Sequence, residues 1–225
     1  SFPLHVFWIC DCSGSMEGSK INSLNRAIED GIDTLRLAEG QYPEVGIYIR
    51  SLGFGDKITW NIEAPTPVGE VTWSELAPMG ATSMGLALKE TAKHLMSRSM
   101  KEESYSPILI LVSDGMPTDN FDLGLRHLLG TFWGKRALRV AIALGSTADH
   151  APLRRFVANP DVPVLTADNP EQLENHVRHI LKQGTKSTVG AKSNSHIDKT
   201  DIGLSNEQKG KDPDADSSAS DTLIW

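Results

Sequence analysis

The sequence predicts an α/β protein: a doubly wound, mostly parallel sheet with helices on both faces, followed by a disordered polar tail. Three observations carry this. From Leu4 to about Lys182, short apolar runs alternate with stretches whose apolar residues recur every three or four positions. The clearest runs lack polar alternation, as strands buried on both faces do. From Gly184 onward the periodicity stops, and Gly, Ser, Lys, Asp, Asn and Thr dominate.

The elements follow in order. Leu4–Cys10 is a nearly continuous apolar run and reads as a buried strand. A turn over Asp11–Ser19 leads into a helix bearing Ile21, Leu24, Ala27, Ile28, Ile32 and Leu35 on one face. Gly46–Phe54 and Lys57–Trp60 read as strands, hairpin partners across Gly55-Asp56. Glu63–Ala81, rich in Pro and Gly, reads as a loop, and Ser83–Met96 as a helix. Pro107–Ser113 is the clearest buried strand. Asp119 or Asn120 can cap the helix after it, which runs to about Phe132. Strands at Arg139–Leu144 and Pro163–Thr166 alternate with helices at Asp149–Ala158 and from Pro170 to about Leu181. Pro152 is tolerated in a first turn. Residues 1–183 are thus expected to form one domain and 184–225 a low-complexity tail.

The 225 residues are 39% hydrophobic and 23% charged, with net charge −7. That balance argues against nucleic acid or an anionic membrane as the main partner, since both need clustered cations. Cys10 and Cys12, at i and i+2, exclude a disulfide framework and fit a reduced, cytoplasmic setting. The longest apolar run is far short of the ~20 residues needed to span a bilayer, and the first residues lack the basic region of a signal peptide.

In parallel α/β sheets the functional crevice lies beyond the carboxyl ends of the strands. Asp11-Cys12-Ser13-Gly14-Ser15 follows the first strand and offers a carboxylate and two hydroxyls in one tight loop. Gly80-Ala81-Thr82-Ser83 precedes a helix and offers another hydroxyl. Ser113-Asp114-Gly115 follows the strongest strand and offers a second carboxylate. Each piece alone reads equally as a helix cap or a plain turn. Together they make an all-oxygen set suited to a hard cation, Mg²⁺ or Mn²⁺. Two carboxylates only balance a divalent ion, and hydroxyls are weak donors. The ion should stay electrophilic and keep a position open for a carboxylate from a partner protein.

Asp11-Cys12-Ser13-Gly14-Ser15-Met16 resembles the Asp-x-Ser-x-Ser element of von Willebrand factor A domains, with Thr82 and Asp114 matching the two later elements of that family's metal-ion-dependent adhesion site. The resemblance spans about residues 4–183. It implies that Ser13 and Ser15 coordinate the ion directly and Thr82 directly or through water. Asp11 and Asp114 would act mostly through water or hydrogen bonds. Ser113-Asp114-Gly115-Met116-Pro117-Thr118-Asp119 is further similar to the TerY-like branch, associated with tellurite resistance and general stress. That branch implies work beside a serine/threonine protein kinase and a metal-dependent (PPM-type) protein phosphatase. The expected role is a Mg²⁺-dependent interaction module, not an enzyme. Met16, Glu17, Asp56, Met84 and Met116 are expected around the ion.

Other features are weaker. Two cysteines are too few for a structural zinc site. His176 and His179, at i and i+3, lack a completing ligand. No phosphate-binding loop ends in Lys followed by Ser or Thr. A Mg²⁺-dependent hydrolase would need a base, for which Asp119 and Asp56 are the candidates. An alternative role is substrate or scaffold of the kinase and phosphatase, with Thr82, Ser83 and Thr222 as phosphorylation candidates among many tail hydroxyls. The apolar end Thr222-Leu223-Ile224-Trp225 reads as a frayed end or a docking peptide.

Overall fold

β1 (Phe2–Asp11) is buried from Leu4 to its end and forms the centre of the sheet. In the computed structural model, which describes residues 1–193, it pairs in parallel with β2 (Val45–Phe54) on one side and β4 (Ile108–Ser113) on the other. β5 (Leu138–Leu144) and β6 (Leu165–Ala167) extend the β4 side, also parallel. β3 (Ile58–Pro67) closes the β2 side as an antiparallel edge, giving the order β3-β2-β1-β4-β5-β6. All six residues of β4 are buried, so both faces of the central sheet are covered.

The helices pack in two groups. α1 (Ser19–Gln41) lies on α6 (Pro170–Ser193), and α2 (Met84–Leu95) lies on α3 (Phe121–Gly130) and the short α4 (Phe132–Arg136). α5 (His150–Val157) packs on β5. Asp149 caps α5, accepting from Ala151 N, so Pro152 falls in the first turn. Asn120 caps α3. The helix expected to reach Phe132 stops at Gly130, because the Thr131 hydroxyl accepts from Gly134 N and starts a new turn.

Two expectations are corrected. Residues 63–67 belong to β3 and not to the loop. The strand is an edge, so Pro65 and Pro67 cost it little, and irregular register around Ile49–Leu52 lets it continue. The last helix does not end near Leu181 but continues to Ser193. Gly184 permits this: a methyl there would stand 3.2 Å from Ile108 Cδ1 and Leu138 Cδ2, so the helix lies close on the beginnings of β4 and β5. Thr185, Thr188 and Val189, further along the same helix, are also buried. The remainder of the expected tail, with Thr222 and the apolar end, lies outside the described residues.

Register places the site. Asp11 pairs with Phe54 and Cys10 with Val112, so β1, β2 and β4 end at one edge of the sheet. The loops leaving them emerge side by side.

Candidate metal centre

Asp11 is the last residue of β1 and is fully buried. Both its oxygens are held: Oδ1 accepts from Ser13 N at 2.8 Å, and Oδ2 accepts from Ser113 Oγ at 2.5 Å. The first bond closes a tight turn that presents Ser13 and Ser15 on one side. Ser13 Oγ and Ser15 Oγ stand 3.0 Å apart. Ser15 Oγ donates to Asp114 Oδ1 at 2.7 Å, joining the β1 loop to the β4 loop across 99 positions of sequence. Asp114 Oδ2 accepts from Lys20 Nζ at 2.7 Å. Thus Asp11, Ser13, Ser15 and Asp114 form one chain of hydrogen bonds.

Thr82 arrives on a third loop stitched to the other two. Gly14 N donates to Gly80 O at 2.7 Å, and Met79 N to Cys12 O at 2.5 Å. Thr82 N donates to Thr118 Oγ1, and Thr118 N donates back to Thr82 O, both at 3.0 Å. Gly80 sits at φ 62°, with the Asp56 carboxylate where a side chain would go. That carboxylate accepts from Ala81 N at 2.8 Å. Asp119 accepts from Gly85 N and Leu86 N at 2.8 and 2.7 Å, capping α2 from another loop. Both oxygens of Asp119 are thus engaged by backbone donors, and Asp56 Oδ1 holds the Gly80–Ala81 turn.

Burial pushes the Asp11 carboxyl above its usual range. The nearby Asp114 adds to the rise, and the bonds from Ser113 and Ser13 oppose it. A buried carboxylate of this kind is favoured by a neighbouring cation. The donor set fits one. Two oxygens bound at adjacent corners of a Mg²⁺ octahedron, at about 2.1 Å, lie about 3.0 Å apart, the spacing of the two serine hydroxyls. With both oxygens of each aspartate engaged by the protein, hydroxyls are the donors left to face an ion. Among the described residues no three His, Cys, Asp or Glu side chains gather as a metal-binding group, so a softer or carboxylate-rich centre has no counterpart. Cys10 and Cys12 are free and buried. Burial raises both thiols, Cys12 up to about 12 with Asp11 contributing, which keeps them protonated and poor ligands. His176 Nε2 contacts Thr166 O at 2.9 Å instead of joining His179 on a metal.

The residues expected around the ion divide. Met16 and Met84 are fully buried in the core, because the turn over Gly14–Met16 and the start of α2 both point inward. Glu17 and Met116 are exposed. Of the phosphorylation candidates, Thr82 is buried and Ser83 half-buried before α2. Lys20 and Thr118 were assigned no role from sequence, and Asp119, expected as a base or as the cap of the following helix, instead caps α2. One signal was available for Lys20: a cation in the first turn of a helix faces the positive end of its dipole and calls for a partner.

The family model for the von Willebrand factor type A domain matches residues 5–179. Solved structures share the fold at low identity. A von Willebrand factor type A protein from Catenulispora acidiphila superposes with TM-score 0.63 at 16% identity, over 82% of this chain and 43% of that one. Proximal thread matrix protein 1 from the mussel byssus, with a zinc-occupied metal-ion-dependent adhesion motif, gives 0.59 at 17% identity over 82% and 46%. The manganese-loaded TRAP protein of Plasmodium vivax gives 0.55 at 20% identity over 81% and 72%. The chain spans less than half the length of the first two. Among curated proteins none matches. With a family match over most of the chain and the sheet, loops and hydroxyl–carboxylate chain described above, this chain belongs to the von Willebrand factor type A domain family.

Proposed function

We propose that this chain is a metal-dependent protein-interaction module. Ser13, Ser15 and Thr82 would hold Mg²⁺, or Mn²⁺, while Asp11 and Asp114 orient those hydroxyls and supply the balancing charge. The ion, when bound, supplies a Lewis-acidic position for a carboxylate side chain of a partner protein. The observation that carries this reading is the hydrogen-bonded chain Asp11–Ser13–Ser15–Asp114, with its 3.0 Å hydroxyl pair. Support comes from the two related folds described as holding zinc and manganese. A binding role is favoured over hydrolysis because Asp56 and Asp119, the candidate bases, are engaged in holding loops and capping α2.

The finer reading, resting on the resemblance of residues 113–119 to the TerY-like branch, is a cytoplasmic component of a bacterial tellurite-resistance or stress-response system. It would act beside a serine/threonine kinase and a PPM-type phosphatase. Two free, buried cysteines suit a reducing compartment, and among the described residues no helix is long and apolar enough to cross a membrane. The test is a pull-down from lysate with Mg²⁺ and with EDTA, using the chain and its Ser13→Ala variant. A partner retained only by the unaltered chain in Mg²⁺ supports the reading. Equal retention in EDTA or by Ser13→Ala refutes a metal-bridged contact.

A further inference from the structure

The loop cluster carries a cation of its own. Lys20, the second residue of α1, sets Nζ 2.7 Å from Asp114 Oδ2, with the two side chains 21% and 1% exposed. Asp114 Oδ1 is held by Ser15 Oγ, so the ammonium and the metal-facing serine share one carboxylate. A lysine here runs against the helix dipole, and α1 has no acidic residue in its first turn to offset it. The placement therefore serves Asp114 and not the helix.

Charge arithmetic gives the consequence. Asp11 and Asp114 with Lys20 sum to −1, and a divalent ion takes that to +1. Without Lys20 the same steps run from −2 to 0. Lys20 thus weakens the hold on a lone cation and leaves the loaded centre positive, which favours an anionic ligand. Because coupling between two ligands is reciprocal, the anion must in turn tighten the cation. We infer that Lys20 is a specificity-determining residue that loosens the centre's hold on a lone cation and strengthens the loaded centre's hold on a carboxylate ligand. The inference rests on the metal reading above.

The experiment titrates Mn²⁺ into the full chain and reads free Mn²⁺ by electron paramagnetic resonance. Sodium acetate serves as the carboxylate probe against sodium chloride at equal ionic strength, and a protein-free titration corrects for acetate binding to the ion. Acetate should tighten Mn²⁺ binding by the unaltered chain. Lys20→Gln keeps an N–H donor near Asp114 but no charge. It should bind Mn²⁺ alone on the order of tenfold more tightly, and at a sub-saturating acetate concentration it should show a smaller acetate effect, because its loaded centre holds the anion less tightly. Lys20→Arg, which keeps the charge, should track the unaltered chain. Equal or weaker Mn²⁺ binding by Lys20→Gln, or no acetate effect in the unaltered chain, overturns the inference while leaving the metal reading intact. Mn²⁺ binding that is absent, or indifferent to Ser13→Ala, overturns both.

Discussion

Arg50 Nη1 lies 3.2 Å from His5 Nδ1, both side chains buried at the sheet. The other partners of Arg50 are also neutral: Glu63 O, Ser99 Oγ and Met100 Sδ, with the guanidinium 5.0 Å from the Phe7 ring centroid. Burial, then the Arg50 charge, lowers His5 to about 4 from 6.5. Its neutral form is therefore what the fold accepts. The unfolded chain takes up the proton first, so this contribution is complete above pH 6.5 and is lost as pH falls toward 4. The whole window is worth about 3 kcal/mol. Urea unfolding across pH 4–7 should show the decline, and His5→Gln should flatten it relative to the unaltered chain.

Asp11 is a structural hub as well as a candidate metal partner. Asp11→Ala strips the acceptors of Ser13 N and Ser113 Oγ in a buried setting. Leaving buried donors unpaired costs about 1–3 kcal/mol each. The metal-free protein should lose stability by roughly that amount in urea unfolding, whereas Ser13→Ala should change it by less than about 1 kcal/mol. Equal stability for the two variants would contradict this division of labour.

Cation binding should stabilise the fold by mass action. At a Mg²⁺ concentration about a hundred times Kd, the gain is about 2.7 kcal/mol. For a domain of this size that raises Tm by about 5–10 °C. Differential scanning fluorimetry should record the rise, EDTA should reverse it, and Ser13→Ala should abolish it.

α2 and α3 meet through two glycines. A methyl on Gly124 would overlap Gly85 O, and one on Gly85 would overlap Asn120 O. Gly124→Ala should force the helices apart and cost about 1–3 kcal/mol or more. Gly40, near the end of α1, has nothing within 4 Å of its own added methyl. Gly40→Ala should stabilise by up to about 1 kcal/mol. Paired thermal melts test both signs.

Much of the fold was legible because it rests on local pattern. β1 and β4 are buried on both faces, and their unbroken apolar runs say so. The residue types at Asp11, Ser13, Ser15, Thr82 and Asp114 suggested the candidate site, and strand order brings the loops after β1 and β4 to one edge. Features that depend on distance in space were not legible. Lys20 and Asp114 are 94 positions apart, and nothing local to either names the other. Met16 and Met84 stand in stretches that read as loop or helix start, where burial has no periodic signal. Residues 184–193 have linker composition, and only the close approach to Ile108 and Leu138 explains their helix.

That extended helix has a practical consequence. α6 starts just past β6, near the edge where the strands end, and passes Ile108 and Leu138, the first residues of β4 and β5. The candidate site and the far end of α6 therefore lie toward opposite ends of the sheet. A label or surface tether fixed at the end of α6 would leave the three loops facing outward and unobstructed, so ligand capture could be followed on immobilised protein.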